Sequence, residues 1–200
     1  MLKIVAWNSA RREEAWRDLL NTDADIALLS EASEPPADVT RQLEVDPAPW
    51  RTAGAGVNRP WRTVVIKLSN RVDVQWIEMK PLVDAFPGEL AVSCHGTLAA
   101  AIIKSGSTDA FVVASMSAVW EKPQLKSGSK WIYADGSVHR LISDISALVG
   151  QQTNYRILAA GDLNVLNGYG ENGSMYWASR YETVFARMSA LGLSFVGPQG

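Results

Sequence analysis

The chain has 200 residues, 47% of them hydrophobic, enough to bury one sizeable core, which excludes an intrinsically disordered polypeptide. With 20% charged residues and a formal net charge of -2, the overall field gives no support for a protein that coats nucleic acid nonspecifically. A single cysteine, Cys94, excludes an intrachain disulfide framework and fits a reducing, cytoplasmic compartment, and no apolar run is long enough for a membrane span or a signal-peptide core.

In chain order, Leu2 to Trp7 reads as a strand, Ala10 to Leu20 as a helix with Ser9 as its cap, and Ile26 to Leu29 as a second strand. Pro35-Pro36 and the Gly-containing stretch Ala53 to Pro60 read as loops. Thr63 to Leu68, Val72 to Ile77, Leu98 to Ile103 and Phe111 to Ser115 are strand-like, with no clear helix among them, and Lys122 to Lys130 reads as another loop. Val138, Leu141, Ile142, Ile145 and Leu148 fall at i, i+3, i+4, i+7 and i+10 behind Asp135-Gly136-Ser137, which predicts a helix stopped near Gly150. Arg156 to Ala160 is a further strand and Gly168 to Ser174 a loop. A helix is expected over Trp177 to Leu191, ended by Gly192, and Leu193 to Val196 reads as the start of one more strand. Irregular alternation of this kind favours α/β (α+β) architecture with mixed sheets and outer helices over a doubly wound parallel sheet. Residues 1–200 are expected to form a single domain.

The informative pattern is positional. Leu2 to Trp7 ends in Asn8, Ile26 to Leu29 runs into Ser30-Glu31, and Arg156 to Ala160 ends in Gly161-Asp162-Leu163-Asn164. Side chains at strand ends can converge on one ligand. Carboxylates and amides gathered there suit a hard cation with oxygen ligands, Mg²⁺ first, that keeps waters for a phosphate substrate. Each residue alone reads equally as a cap or a solvated turn. The ordered combination is the signal.

At these residues the chain resembles the endonuclease/exonuclease/phosphatase superfamily. Lys3 to Asn8 is similar to that family's opening strand, Ala24 to Glu31 to the strand ending in its metal-binding Glu, and Gly161 to Asn164 to its Gly-Asp-hydrophobic-Asn signature. The resemblance implies a four-layer α/β sandwich, two mixed sheets face to face with helices outside. It also implies a Mg²⁺-dependent phosphoesterase, Mn²⁺ being able to substitute, that attacks a phosphodiester in line with water, nucleic acid (DNA or RNA) leading the substrate classes. By that resemblance Glu31 binds the ion with Asn8 beside it, Asp162 orients the attacking water or serves as a second metal ligand, and Asn164 donates a hydrogen bond to the scissile phosphate.

The sequence departs from the family pattern in places. After Phe111 to Ser115, where the family carries His or Tyr, stand Met116-Ser117, and methionine cannot transfer a proton, so either a neighbour such as Ser115, Ser117 or Trp120 takes part or this role is missing. No histidine follows Asp162, whereas the family's general base lies there, so the chain is expected to be a C-terminally truncated fragment without activity of its own. The alternatives are a noncatalytic binding domain on the same fold, or a site completed by another chain. His95 and His139 read as structural. Arg11, followed by Arg12, could reach the substrate phosphate or form surface pairs on a helix. Trp50, Trp61, Trp120, Trp131 and Trp177 read first as loop anchors and second as stacking surfaces, and Trp120 to Trp131, with its lysines, is the candidate substrate-facing loop. Cys94 beside His95 reads as an inert thiol.

Overall fold

The computed structural model describes residues 1–54, 57–106, 109–120, 134–150, 156–169 and 173–197. The chain divides into two compact units, Met1–Ser117 with Gln152–Asp162, and Ala118–Gln151 with Leu163–Gly200. The first holds β1 (Ile4–Asn8), α1 (Glu13–Leu20), β2 (Ile26–Ala32), α2 (Ala37–Thr40), β3 (Glu44–Val45), β4 (Thr52–Gly54), β5 (Val57–Arg59), β6 (Arg62–Lys67), β7 (Asp73–Ile77), β8 (Lys80–Pro81), β9 (Ala91–Val92), β10 (Leu98–Lys104), β11 (Phe111–Ser117) and β12 (Arg156–Asp162). The second holds α3 (Asp135–Gly150) and α4 (Met175–Ala190).

Both principal sheets are mixed, in the strand orders β1-β2-β6-β3 and β12-β11-β10-β7. In the first, β1 runs parallel to β2, and β6 is antiparallel to β2. In the second, β10 is antiparallel to β7 and β11, whereas β11 and β12 are parallel. The period-two alternation of these strands divides their apolar residues between two cores. Ile26 and Leu28 of β2, Val65 of β6, Ala101 and Ile103 of β10 and Val113 of β11 form one cluster, which places the two sheets face to face. On the opposite face of β2 and β6, Ala27, Leu29, Val64 and Ile66 meet Trp16 and Leu19 of α1 and Val39 of α2. The α/β class and paired mixed sheets are as expected.

Local departures have physical causes. The predicted helix over Ala10 to Leu20 begins only at Glu13, because Ala10 and Arg11 take positive φ (48° and 63°) and Ser9 turns its hydroxyl to the carbonyls of Ser30 and Glu31 rather than capping. Tertiary hydrogen bonds displace the cap. The expected loop over Ala53 to Pro60 instead contains a ladder between β4 and β5, with Thr52 opposite Arg59 and Gly54 opposite Val57. The Lys122 to Lys130 stretch and Trp131 lie outside the described residues.

In the second unit, Val138, Leu141, Ile142, Ile145 and Leu148 are all buried along one stripe of α3, as their spacing requires. Arg180 of α4 bridges Asp135 at 2.6 Å, and Val184 is fully buried. Helix α4 ends in paired capping bonds, Gly192 N–H to Ser189 O at 2.9 Å and Leu193 N–H to Met188 O at 3.0 Å, with Gly192 at φ 81°. The expected strand over Leu193 to Val196 is absent: those residues follow the cap, and Phe195 folds back edge-on to Phe185, ring centroids 5.2 Å apart.

Candidate active site

The register of the strands brings their carboxyl ends together. Asn8 closes β1 opposite Ser30, and Asp162 closes β12 opposite Ser117. Ile4 and Ala160 both pack against the inter-sheet cluster, so strand alternation puts Asn8 and Asp162 on that same inner face at the sandwich end. There the Asn8 side-chain amide donates to Asp162 Oδ2 at 2.7 Å, across a separation of 154 residues. Asn8 Oδ1 accepts the Ala10 N–H at 2.9 Å. The two predicted residues thus share one site.

Glu31 arrives by a different device. The pairing of β2 with β6 slips between Leu29 and Ala32, and Glu31 lies inside that irregularity at φ 50°. A bulge re-aims a side chain that regular alternation would commit to one face. The turn after β1 is sewn to it: Arg11 N–H donates to Glu31 O at 2.9 Å, and the buried Ser9 hydroxyl lies 2.9 Å from the same oxygen and 3.1 Å from Ser30 O. Arg11 Nε stands 3.8 Å from Glu31 Oε2, a loose and largely exposed pair. Among the described residues, the non-glycine positions with positive φ are Ala10, Arg11, Glu31 and Asn164. Each conformation costs on the order of 1 kcal/mol. Strain of this kind collects where geometry serves a ligand.

The signature glycine has a steric cause. A Cβ at Gly161 would lie 1.8 Å from Met116 O, so β11 and β12 can meet there only if the residue is glycine. Ser115, on the inner face, donates its hydroxyl to Leu29 O at 2.8 Å, linking the sheets. Ser117 follows on that face by alternation, in register with Asp162, and its side chain is buried. Met116 is buried on the other face of β11, so its side chain does not point inward.

Asn164 belongs to the second unit. Its Nδ2 donates to the Ala118 carbonyl at 2.9 Å, fixing the turn it occupies at φ 53°. Trp120, in the same unit, is exposed. His139 also lies there, with Arg187 Nη1 3.0 Å from its Nδ1 and Thr183 Oγ1 3.3 Å from its Nε2. Partial burial first, and the Arg187 charge second, hold its pKa below the ordinary value. His95 sits in the turn before β10, its pKa lowered by burial and then by Arg62 and Arg59. Cys94 is buried with Arg59 Nη2 3.3 Å from its sulfur.

Sequence reasoning missed Ser9 as the residue that clamps the Glu31 bulge, having read it as a helix cap. Its position directly after Asn8 was the available signal. It also gave no sign of the buried pair Arg62 and Asp46, 2.7 Å apart, with Arg62 stacked 4.2 Å over Trp50. Trp50 therefore anchors its loop, as first read, and Trp16 meets it edge-on.

The sequence matches no protein-family model and no curated protein. Its structure is similar to the endonuclease domain of TRAS1, a telomere-specific non-LTR retrotransposon, at a TM-score of 0.61 and 14% identity, covering 96% of this chain and 72% of that one. It is similar also to ANGEL2, a 2′,3′-cyclic phosphatase, solved in complex with adenosine-2′,3′-vanadate, at a TM-score of 0.50 and 14% identity over 80% of this chain and 45% of that one. The chain spans less than half the length of the second. These likenesses show the fold: the chain has the endonuclease/exonuclease/phosphatase fold. Among the described residues, no helix is long and apolar enough to cross a membrane.

Proposed function

We propose that this chain carries the core of a metal-dependent phosphoesterase site that hydrolyses a phosphodiester, with nucleic acid as the substrate class and Mg²⁺, or Mn²⁺ in its place, as the ion. The observation that carries the reading is the 2.7 Å hydrogen bond from Asn8 to Asp162, which joins the tips of both sheets one residue from the Glu31 bulge. That the structural neighbours are named as an endonuclease and a cyclic phosphatase supports it.

The donor set fits the ion. Asn8, Glu31 and Asp162 offer oxygens, and no cluster of three or more His, Cys, Asp or Glu side chains occurs among the described residues. Sparse, hard ligation of this kind suits Mg²⁺, which takes one or two carboxylates and keeps its waters, and does not suit zinc. Glu31 and Asn8 would hold the ion, which when bound supplies charge neutralisation at the phosphate.

The chain's own residues do the rest. Asp162, its Oδ2 fixed by the Asn8 amide, orients and polarises water for in-line attack. Asn164 acts by holding, through Ala118, the turn that follows Asp162. Arg11, exposed and loosely paired, draws the phosphate towards Glu31, while Ser117 contributes a hydroxyl beside Asp162.

The test is hydrolysis of a labelled oligonucleotide and of a small aryl phosphodiester with Mg²⁺ or Mn²⁺. Asp162→Asn and Glu31→Gln should each lower kcat by roughly 10²- to 10³-fold, with urea midpoints unchanged. No turnover of any phosphodiester with either ion, by the chain assayed together with any sequence that follows Gly200 in the natural protein, removes the reading. Met116, buried where the family carries a proton-transferring residue, favours a second reading, a noncatalytic binding domain. Oligonucleotide binding that is indifferent to both substitutions, without hydrolysis, is its signature.

A further inference from the structure

We propose that the cleft between the free edges of the two sheets binds a neutral planar ring, the base of a nucleotide adjoining the scissile phosphate. This rests on the phosphoesterase reading and adds to it where the base goes. Strands β3 and β7 are the edges of their respective sheets, and a cleft of about 720 Å³ opens between β7 and the Asp46 to Pro49 segment that follows β3. Its lining includes Asp46, Arg62, Gln75, Trp76, His95 and Leu98. The volume falls within the range of small-molecule sites.

Charge excludes the phosphate from this space. Arg62 and Asp46 neutralise each other at 2.7 Å, and His95, desolvated and facing Arg62 and Arg59, stays uncharged near neutrality. The remaining charge in the lining is negative, from Glu78. An anion gains nothing here, whereas a neutral ring does. Trp76, partly buried against the inter-sheet core, offers an aromatic wall. Among the described residues, His95 Nδ1 is buried and has no hydrogen-bond partner, and a turn of the ring towards the cleft would let a ring nitrogen or exocyclic group satisfy it.

Position completes the case. Leu98 pairs with Met116, and Met116 with Gly161, so the Leu98 rim of the cleft lies two strands, about 10 Å, from β12 at the end where Asp162 stands, and Trp76 of β7, opposite Ala101, lies one strand further.

The test is a titration of the ¹⁵N-labelled full chain with adenosine, guanosine, cytidine and uridine, beside ribose 5-phosphate and inorganic phosphate. At least one nucleoside should shift the Trp76 indole and the His95 resonances, and the two phosphates should leave both in place. His95→Leu and the packing-conservative Trp76→Phe should each weaken that nucleoside at least about 5-fold, with the urea midpoint unchanged for one of them. Nucleosides that leave the cleft resonances unmoved, or shift only Asn8 and Asp162, overturn the inference. Such a result alongside Mg²⁺-dependent oligonucleotide hydrolysis overturns it while leaving the phosphoesterase reading intact. Nucleoside binding without hydrolysis keeps the ring site and removes only the reading to which it was joined.

Discussion

Replacing Gly161 with alanine tests the site at its narrowest point. The added Cβ would sit 1.8 Å from Met116 O, 2.7 Å from its carbonyl carbon and 2.9 Å from its nitrogen, all backbone atoms with no rotamer to yield. A close C···O contact is about 3.3 Å, so the strands must part by roughly 1.5 Å. Overpacking of this kind costs about 1–3 kcal/mol, and loss of one or two ladder bonds near Gly161 and Asp162 adds about 1 kcal/mol each. The total is about 2–5 kcal/mol. With a urea slope of about 2 kcal/mol/M, the midpoint should fall by roughly 1–2.5 M. Asp162 moves with the strand, so its 2.7 Å bond to Asn8 lengthens beyond hydrogen-bond range and turnover drops by about 10²-fold. Gly88 is the control: its φ is also positive, at 93°, but no atom of the described residues lies within 4 Å of its missing Cβ, so Gly88→Ala should cost only about 1 kcal/mol. Equal effects of the two substitutions, or a Gly161→Ala loss below about 1 kcal/mol, refute the steric account.

The remaining predictions concern the clamps around that site. Arg62→Met strands the buried Asp46 carboxylate and should cost about 3–5 kcal/mol by urea denaturation, whereas adding Asp46→Leu should recover much of the loss. His139 is held neutral, with its folded pKa below the unfolded value, so the unfolded chain takes up the proton first. Stability should therefore fall as pH drops from about 6.5 towards the folded pKa, and His139→Gln should flatten that part of a pH-dependent melting profile. Glu31→Gly relieves a left-handed non-glycine residue and should leave stability equal or raised by up to about 1 kcal/mol, and under the proposed function it should abolish Mg²⁺-dependent turnover.

Most of the strands were legible because each is a run of apolar, often β-branched residues, and a buried strand has no other way to be written. Their ends were less so. Strand β2 extends past Leu29 to Ala32, and β12 past Ala160 to Asp162, because polar tip residues are drawn into the ladder by pairing partners distant in sequence. Residues Asn8 and Asp162 were legible as a pair only through the order of motifs. Their contact joins chain segments that no local pattern links. Helix α3 followed from its stripe, and the end of α4 from Gly192, since both signals are local. The start of α1 was misread for the opposite reason: Ser9 is a good cap by type, but the Ser30 and Glu31 carbonyls compete for its hydroxyl and win. Met116 was rightly noticed, yet its inward or outward direction depends on the alternation of β11 and not on its identity.

The strained residues argue for a site more strongly than the motif alone. A bulge at the end of β2 and a left-handed turn after β1 each destabilise the fold, and neither is required to close the sandwich, whose sheets are already joined by the apolar cluster and by Ser115 on Leu29. What the two irregularities achieve together is local. The bulge frees Glu31 from strand alternation, and the turn places Arg11 N–H and the Ser9 hydroxyl on the Glu31 carbonyl, so the backbone bearing the carboxylate cannot swing. Across the sandwich, a glycine that admits no Cβ lets β12 press against β11 and carry Asp162 to Asn8. Stability is given up at the tips of both sheets and returned as rigidity of the same oxygens, which is the arrangement expected where small displacements matter to chemistry.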